Sequence, residues 1–185
     1  MSRRAVICGI SLIAVRETAE AVPTGRDAPP QIGDYLVVSD STGSAANAPI
    51  KLSDLKPGDD PTLAWSFDPK QKVLRDASRL NQVLLMRFDP ASLGETEKKY
   101  AAGGAIAFSA ICTHQGCTVT DWLKSRQVLQ CPCHQSLYDP RHAAKVVGGP
   151  APRSLPALPL KLSGDILVVA GDFTDRIGGQ PQGNQ

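Results

Sequence analysis

The sequence predicts an all-β fold, on three observations. Short β-branched or apolar runs recur along the chain, separated by segments rich in Gly, Pro, Ser and Asn. Two of those runs, 158–162 and 166–170, flank Ser163-Gly164-Asp165, a strong hairpin signal. No repeat or heptad competes with that reading. With 42% hydrophobic residues and few aromatics, the chain can build an ordinary β core.

Taken in order, residues 1–21 read as an export signal. Met1-Ser2-Arg3-Arg4 precedes an apolar stretch, 5–15, and Ala19-Glu20-Ala21 gives an A-x-A end. Ser2-Arg3-Arg4 resembles a twin-arginine signal. The apolar stretch covers about half of the ~20 residues that span a bilayer. A cleaved signal is therefore expected, with an uncleaved peripheral anchor as the minority reading. Residues 22–34 read as a linker or extended lead-in and 35–172 as the domain. Residues 35–39 are the first strand, and 40–47 and 52–61 carry turn signals. Runs 82–88 and 105–110 have strand character, with a polar excursion or short helix at 89–100 between them. Trp122 and 128–130 form a turn and a short strand. Trp65 and Trp122 are core or edge residues. The Gly/Gln-rich stretch 173–185 reads as a loose tail.

Two boxes carry the chemistry. One is Cys112-Thr113-His114-Gln115-Gly116-Cys117 and the other Cys131-Pro132-Cys133-His134-Gln135-Ser136. Run 105–110 delivers the first box directly, so a β scaffold would position it. Each box offers a Cys–His pair, Cys112/His114 and Cys131/His134, and one further cysteine, Cys117 or Cys133. A [2Fe–2S] centre with two thiolates on one iron and two imidazoles on the other needs that donor set. Zinc also accepts Cys/His sets, drawn from four of these six residues.

The spacing, C-x-H, sixteen intervening residues, then C-x-x-H, resembles the Rieske iron–sulfur family, firmly over residues 105–170. That resemblance implies an antiparallel β-sandwich with a small cluster-binding subdomain, about 105–152, formed by two loops. It implies one [2Fe–2S] cluster per chain, with Cys112 and Cys131 on the inner iron and His114 and His134 on the outer. It implies a disulfide between Cys117 and Cys133, and hydrogen bonds from Ser136 and Tyr138 to a bridging sulfide and to Cys112. Such donors favour the reduced state. Imidazole in place of two thiolates moves the potential from about −400 mV to roughly −150 to +300 mV; both hydroxyls point to the upper part. Gly148-Gly149-Pro150-Ala151-Pro152 is similar to the proline-rich loop that covers the cluster in this family. The chain departs from the family at Gln115, where leucine is usual, and at Gln135, where glycine is usual. A polar Gln115 argues against quinol contact.

The remaining features narrow the function. A formal net charge of +2 without a basic run argues against nucleic acid. A Rieske-type oxygenase needs two more histidines for its mononuclear iron, and only His142 remains. The resemblance therefore implies an electron-transfer subunit with no substrate chemistry of its own, exported folded to the periplasm. Its expected partner is a larger redox subunit, of molybdenum oxidoreductase type ahead of a cytochrome bc complex, with a c-type cytochrome as acceptor.

Overall fold

A computed structural model describes residues 25–39 and 48–179. The expected export signal at 1–21 lies outside these residues. Among the described residues no helix is long and apolar enough to cross a membrane.

The larger sheet has seven strands in the order β10-β11-β1-β2-β4-β5, with β3 on the side of β2. These are β1 (Tyr35–Val38), β2 (Thr62–Asp68), β3 (Val73–Leu74), β4 (Val83–Arg87), β5 (Ala105–Ser109), β10 (Leu160–Ser163) and β11 (Ile166–Val169). All pairings are antiparallel. The sheet curls on itself, because the outer edge of β5 meets the chain entering β10. Ser109 N donates to Pro156 O at 2.8 Å and Leu158 N to Ala107 O at 2.9 Å. Closure satisfies an edge that would otherwise present unpaired backbone groups. Leu36, Val83, Leu85, Ala107 and Leu167 pack within the curl. The expected hairpin is present, with Ser163 opposite Ile166 and Gly164 at φ +61°.

A second sheet, β6-β7-β8-β9, is a four-stranded meander made of β6 (Asp121–Leu123), β7 (Val128–Gln130), β8 (Leu137–Asp139) and β9 (Lys145–Gly148). A second core cluster, including Phe108, Val119, Leu129, Tyr138 and Leu155, joins it to the larger sheet, with Trp122 packed against its edge. The polar excursion is a 3-10 turn, Pro90–Ser92, followed by one helical turn, α1 (Glu95–Lys98).

One segment resolves an alternative and another differs from expectation. Of the two readings of the segment through residue 34, linker or lead-in, residues 25–34 form a docked lead-in. Arg75, 3% exposed, pairs with Asp34 at 2.6 Å and Asp68 at 3.1 Å, and Asn81 Nδ2 donates to Ala28 O at 2.6 Å. A buried guanidinium needs such anionic partners, and the lead-in supplies one. The expected loose tail is likewise packed over 173–179. Phe173 lies against the core inside the curl, and Thr174 N donates to Ala157 O at 2.9 Å. Residues 180–185 lie outside the described residues.

Candidate metal centre

The two boxes differ in sequence but close as the same loop. In the first, Cys112 N donates to Cys117 O at 2.8 Å and Gly116 N to Cys112 O at 3.0 Å. In the second, Cys131 N donates to Ser136 O and Gln135 N to Cys131 O, both at 2.9 Å. The fifth residue of each loop must therefore turn left-handed: Gly116 has φ +75° and Gln135 φ +57°. Strand β5 leads into the first loop, while β7 enters and β8 leaves the second.

Both loops point their chemistry to one place. A disulfide joins Cys117 to Cys133, with Cα atoms 6.5 Å apart. Cys112 and Cys131 carry free thiols, each 1% exposed. Burial pushes the Cys131 thiol up, and the adjacent Cys112 sulfur adds to the rise, while the N–H groups of Cys133 and His134 pull against it. A bound metal would displace such a proton, because thiolate is the ligating form. In the same two loops, the rings of His114 and His134 lie 4.7 Å apart at 87°. His134 is exposed and His114 half-buried. The Nδ1 atom of His114 is buried with no hydrogen-bond partner.

The surrounding donors sit against these groups. Tyr138, 0% exposed, places Oη 3.2 Å from Cys112 Sγ and accepts from Thr113 N at 3.3 Å. Burial, then the Cys112 sulfur, pushes the Tyr138 hydroxyl well above its ordinary value, so it remains a hydrogen-bond donor. Ser136 is buried and its Oγ accepts from Ala151 N at 3.2 Å, which leaves its own proton to donate. The proline-rich loop closes over the second box at Gly149 (φ +79°). A Cβ there would lie 2.5 Å from Ser136 Cα and 2.7 Å from Gln135 O, so only glycine allows the approach.

This donor set fits a two-iron centre better than a single ion. A tetrahedral zinc at about 2.0–2.3 Å holds all its donors within ~4 Å of one another. Among the described residues the one group of three Cys, His or acidic donors within 4.8 Å is Cys117, Cys131 and Cys133. Two of these are consumed by the disulfide. The two free thiols and two imidazoles are more widely spread, and the unpartnered His114 Nδ1 lacks a ligand of its own. His142 is not part of this arrangement; its Nδ1 pairs with Asp139 Oδ2 at 2.9 Å in the turn after β8. Sequence reasoning missed Thr113, Arg79 and Arg153, which hold the loops through long-range contacts.

The Rieske [2Fe-2S] domain family matches residues 64–159, half of the chain, and the chain belongs to that family. It is 38% identical over 104 residues to the cytochrome bc1 complex Rieske iron-sulfur subunit of Mycobacterium tuberculosis, covering 53% of this chain and 24% of that protein. It is 37% identical over 97 residues to a Haloferax mediterranei protein carrying the name of a respiratory nitrate reductase Rieske subunit, covering 52% of this chain and 43% of that one. It is 30% identical over 139 residues to the Streptomyces lividans cytochrome bc1 complex Rieske subunit, covering 71% of this chain and 79% of that one. The chain thus spans about a quarter of the length of the mycobacterial relative. A Rieske domain binds a [2Fe–2S] cluster, and the donors for one are present.

Proposed function

We propose that this protein is the electron-transfer subunit of an exported respiratory oxidoreductase. The observation that carries the reading is the pair of ligand-type imidazoles, 4.7 Å apart, on the same two disulfide-linked loops as two buried free thiols. Cys112 and Cys131 hold the inner iron, and His114 and His134 the outer one. When bound, the cluster supplies a one-electron couple whose oxidised form is close to neutral. The chain's own residues do the rest. Tyr138 and Ser136 donate toward sulfur and favour the reduced state, the disulfide fixes the loops relative to each other, and β5 and Tyr138 exclude water from the thiolate side. His134 is exposed and His114 half-buried, so exchange with a partner takes place at the loop tips.

The partner reading follows the tip. Gln115 is exposed and offers an amide where an apolar shield would suit quinol, which supports a larger catalytic subunit of molybdenum type as donor and a c-type cytochrome as acceptor. The nitrate reductase relative supports the same reading. Similarity to cytochrome bc1 Rieske subunits favours the second reading, a quinol–cytochrome c oxidoreductase. Purification from the native membrane and periplasmic fractions separates them. A large copurifying redox subunit, and an EPR line shape indifferent to quinone-site inhibitors, are expected. Copurifying cytochrome b with inhibitor-induced line-shape changes would establish the alternative.

A further inference from the structure

After β11 the chain crosses to the first box instead of leaving the domain. Thr174 and Ala157 exchange two hydrogen bonds, Thr174 N to Ala157 O at 2.9 Å and Ala157 N to Thr174 Oγ1 at 2.9 Å. At the far end, Gly179 lies on the backbone of the box: a Cβ there would be 2.5 Å from His114 O and 3.5 Å from Gln115 Cα. Gly178, buried, takes φ +77° to bring it there.

One side chain holds this crossing in place. Arg153 Nη1 donates to Asp175 Oδ2 at 3.2 Å, and its Nη2 donates to Gly178 O at 2.6 Å. Arg153 itself belongs to the chain that continues from the proline-rich loop, and its carbonyl accepts from Thr113 Oγ1 at 2.6 Å. A single residue thus ties the first box, the proline-rich loop and the C-terminal crossing together. From the opposite side Arg79 Nη1 donates to Gly116 O at 2.5 Å. What remains between Arg79–Leu80 and residues 177–179 is a pocket of about 440 Å³ with His114 in its wall. His134, in the box covered by the proline-rich loop, is exposed, whereas His114 is half-buried.

Ordering an extended Gly-containing segment costs conformational entropy, so a strap with no task would fray. Here its contacts converge on the backbone of a candidate ligand. We propose that residues 173–179, anchored by Arg153 as a positioning residue, form a fourth wall of the cluster site that fixes the first box and screens His114. The two imidazoles are made unequal, and reagents from solvent reach His134 first. This rests on the ligand assignment proposed above.

The test is site-resolved carbethoxylation of the oxidised holoprotein by diethyl pyrocarbonate, read by peptide mass spectrometry at His114 and His134. In the unaltered protein His134 should react faster by roughly tenfold, which corresponds to about 1.4 kcal/mol of difference in access. Arg153→Ala removes the anchor. Gly179→Ala pushes the strap off His114 O. Both should bring the two rates to within about threefold, as local opening becomes easy, with the EPR signal of the cluster retained. If Arg153→Ala loses the cluster, Gly179→Ala and Asp175→Asn are read in its place. Arg26→Ala, in an exposed pair with Asp76 far along the chain, is the control and should leave the ratio unchanged. Equal rates in the unaltered protein, or an unchanged ratio in the strap variants with the cluster retained, would overturn the proposal. Absence of any [2Fe–2S] EPR signal in the unaltered protein would instead overturn the ligand assignment beneath it.

Discussion

Replacing Gln135 by glycine should stabilise the protein, although it removes a side chain. Gln135 occupies the left-handed region at φ +57°, which costs an L-residue roughly 1–2 kcal/mol that glycine avoids. Glycine gives back about 0.4–1 kcal/mol through the greater freedom of its unfolded chain. The net gain is therefore about 0.5–1 kcal/mol. The equivalent place in the other loop provides the mirror experiment. Gly116 sits at φ +75°, and a Cβ there would meet Arg79 Nη2 at an ordinary 3.4 Å, so backbone conformation governs the outcome. Gly116→Gln should lose about what Gln135→Gly gains. Urea unfolding of the holoprotein, followed by far-UV circular dichroism and cluster absorbance, reads both. With a slope of about 2 kcal/mol/M, the midpoints should move by roughly 0.25–0.5 M in opposite directions. A neutral or destabilised Gln135→Gly, with a neutral Gly116→Gln, would refute the claim that the loops share one geometry and one strained position.

Further outcomes follow from the same site. Tyr138→Phe removes the hydroxyl 3.2 Å from Cys112 Sγ, and Ser136→Ala removes the buried hydroxyl below Ala151 N. Each should lower the midpoint potential by tens of millivolts in protein-film voltammetry, since ~59 mV is a tenfold change for one electron; unchanged potentials in both would mean that neither hydroxyl reaches sulfur. Replacing Cys117 and Cys133 together by serine opens a bridge of sequence separation 16. Closing a loop of that size is worth about 3 kcal/mol, so the urea midpoint should fall by about 1.5 M; a shift within error would show that hydrogen bonding alone fixes the loops.

What could be read in advance followed the range of the forces involved. The boxes were legible because ligand type and spacing are local. The hairpin was legible because Gly164 and its neighbours encode the turn themselves, and 105–110 because four of the five residues of its strand are apolar. Strand β2 was not, although it is central in the larger sheet. Its Ser66 and Asp68 read as polar, yet both are buried, Asp68 by its pairing with Arg75. The packing of 173–179 was hidden for a related reason. Gly178 and Gly179 look like flexibility in the sequence, whereas in the fold Gly178 supplies a left-handed turn and the missing side chain of Gly179 permits contact with His114 O. Arg153 gave no signal, because its partners Asp175, Gly178 and Thr113 come from two distant segments. In the sequence, Tyr138 is tied to Cys112 only through family resemblance, since nothing local brings residues 26 apart together.

The central claim is that Cys112, Cys131, His114 and His134 hold one [2Fe–2S] cluster. Its most direct test is EPR with electron–nuclear double resonance on the dithionite-reduced protein. The account predicts hyperfine coupling to two strongly coupled nitrogens, lost with the cluster in His114→Ala and His134→Ala, and retained in His142→Ala. Tightly bound zinc without a paramagnetic signal, or a cluster signal with no nitrogen coupling, would contradict it.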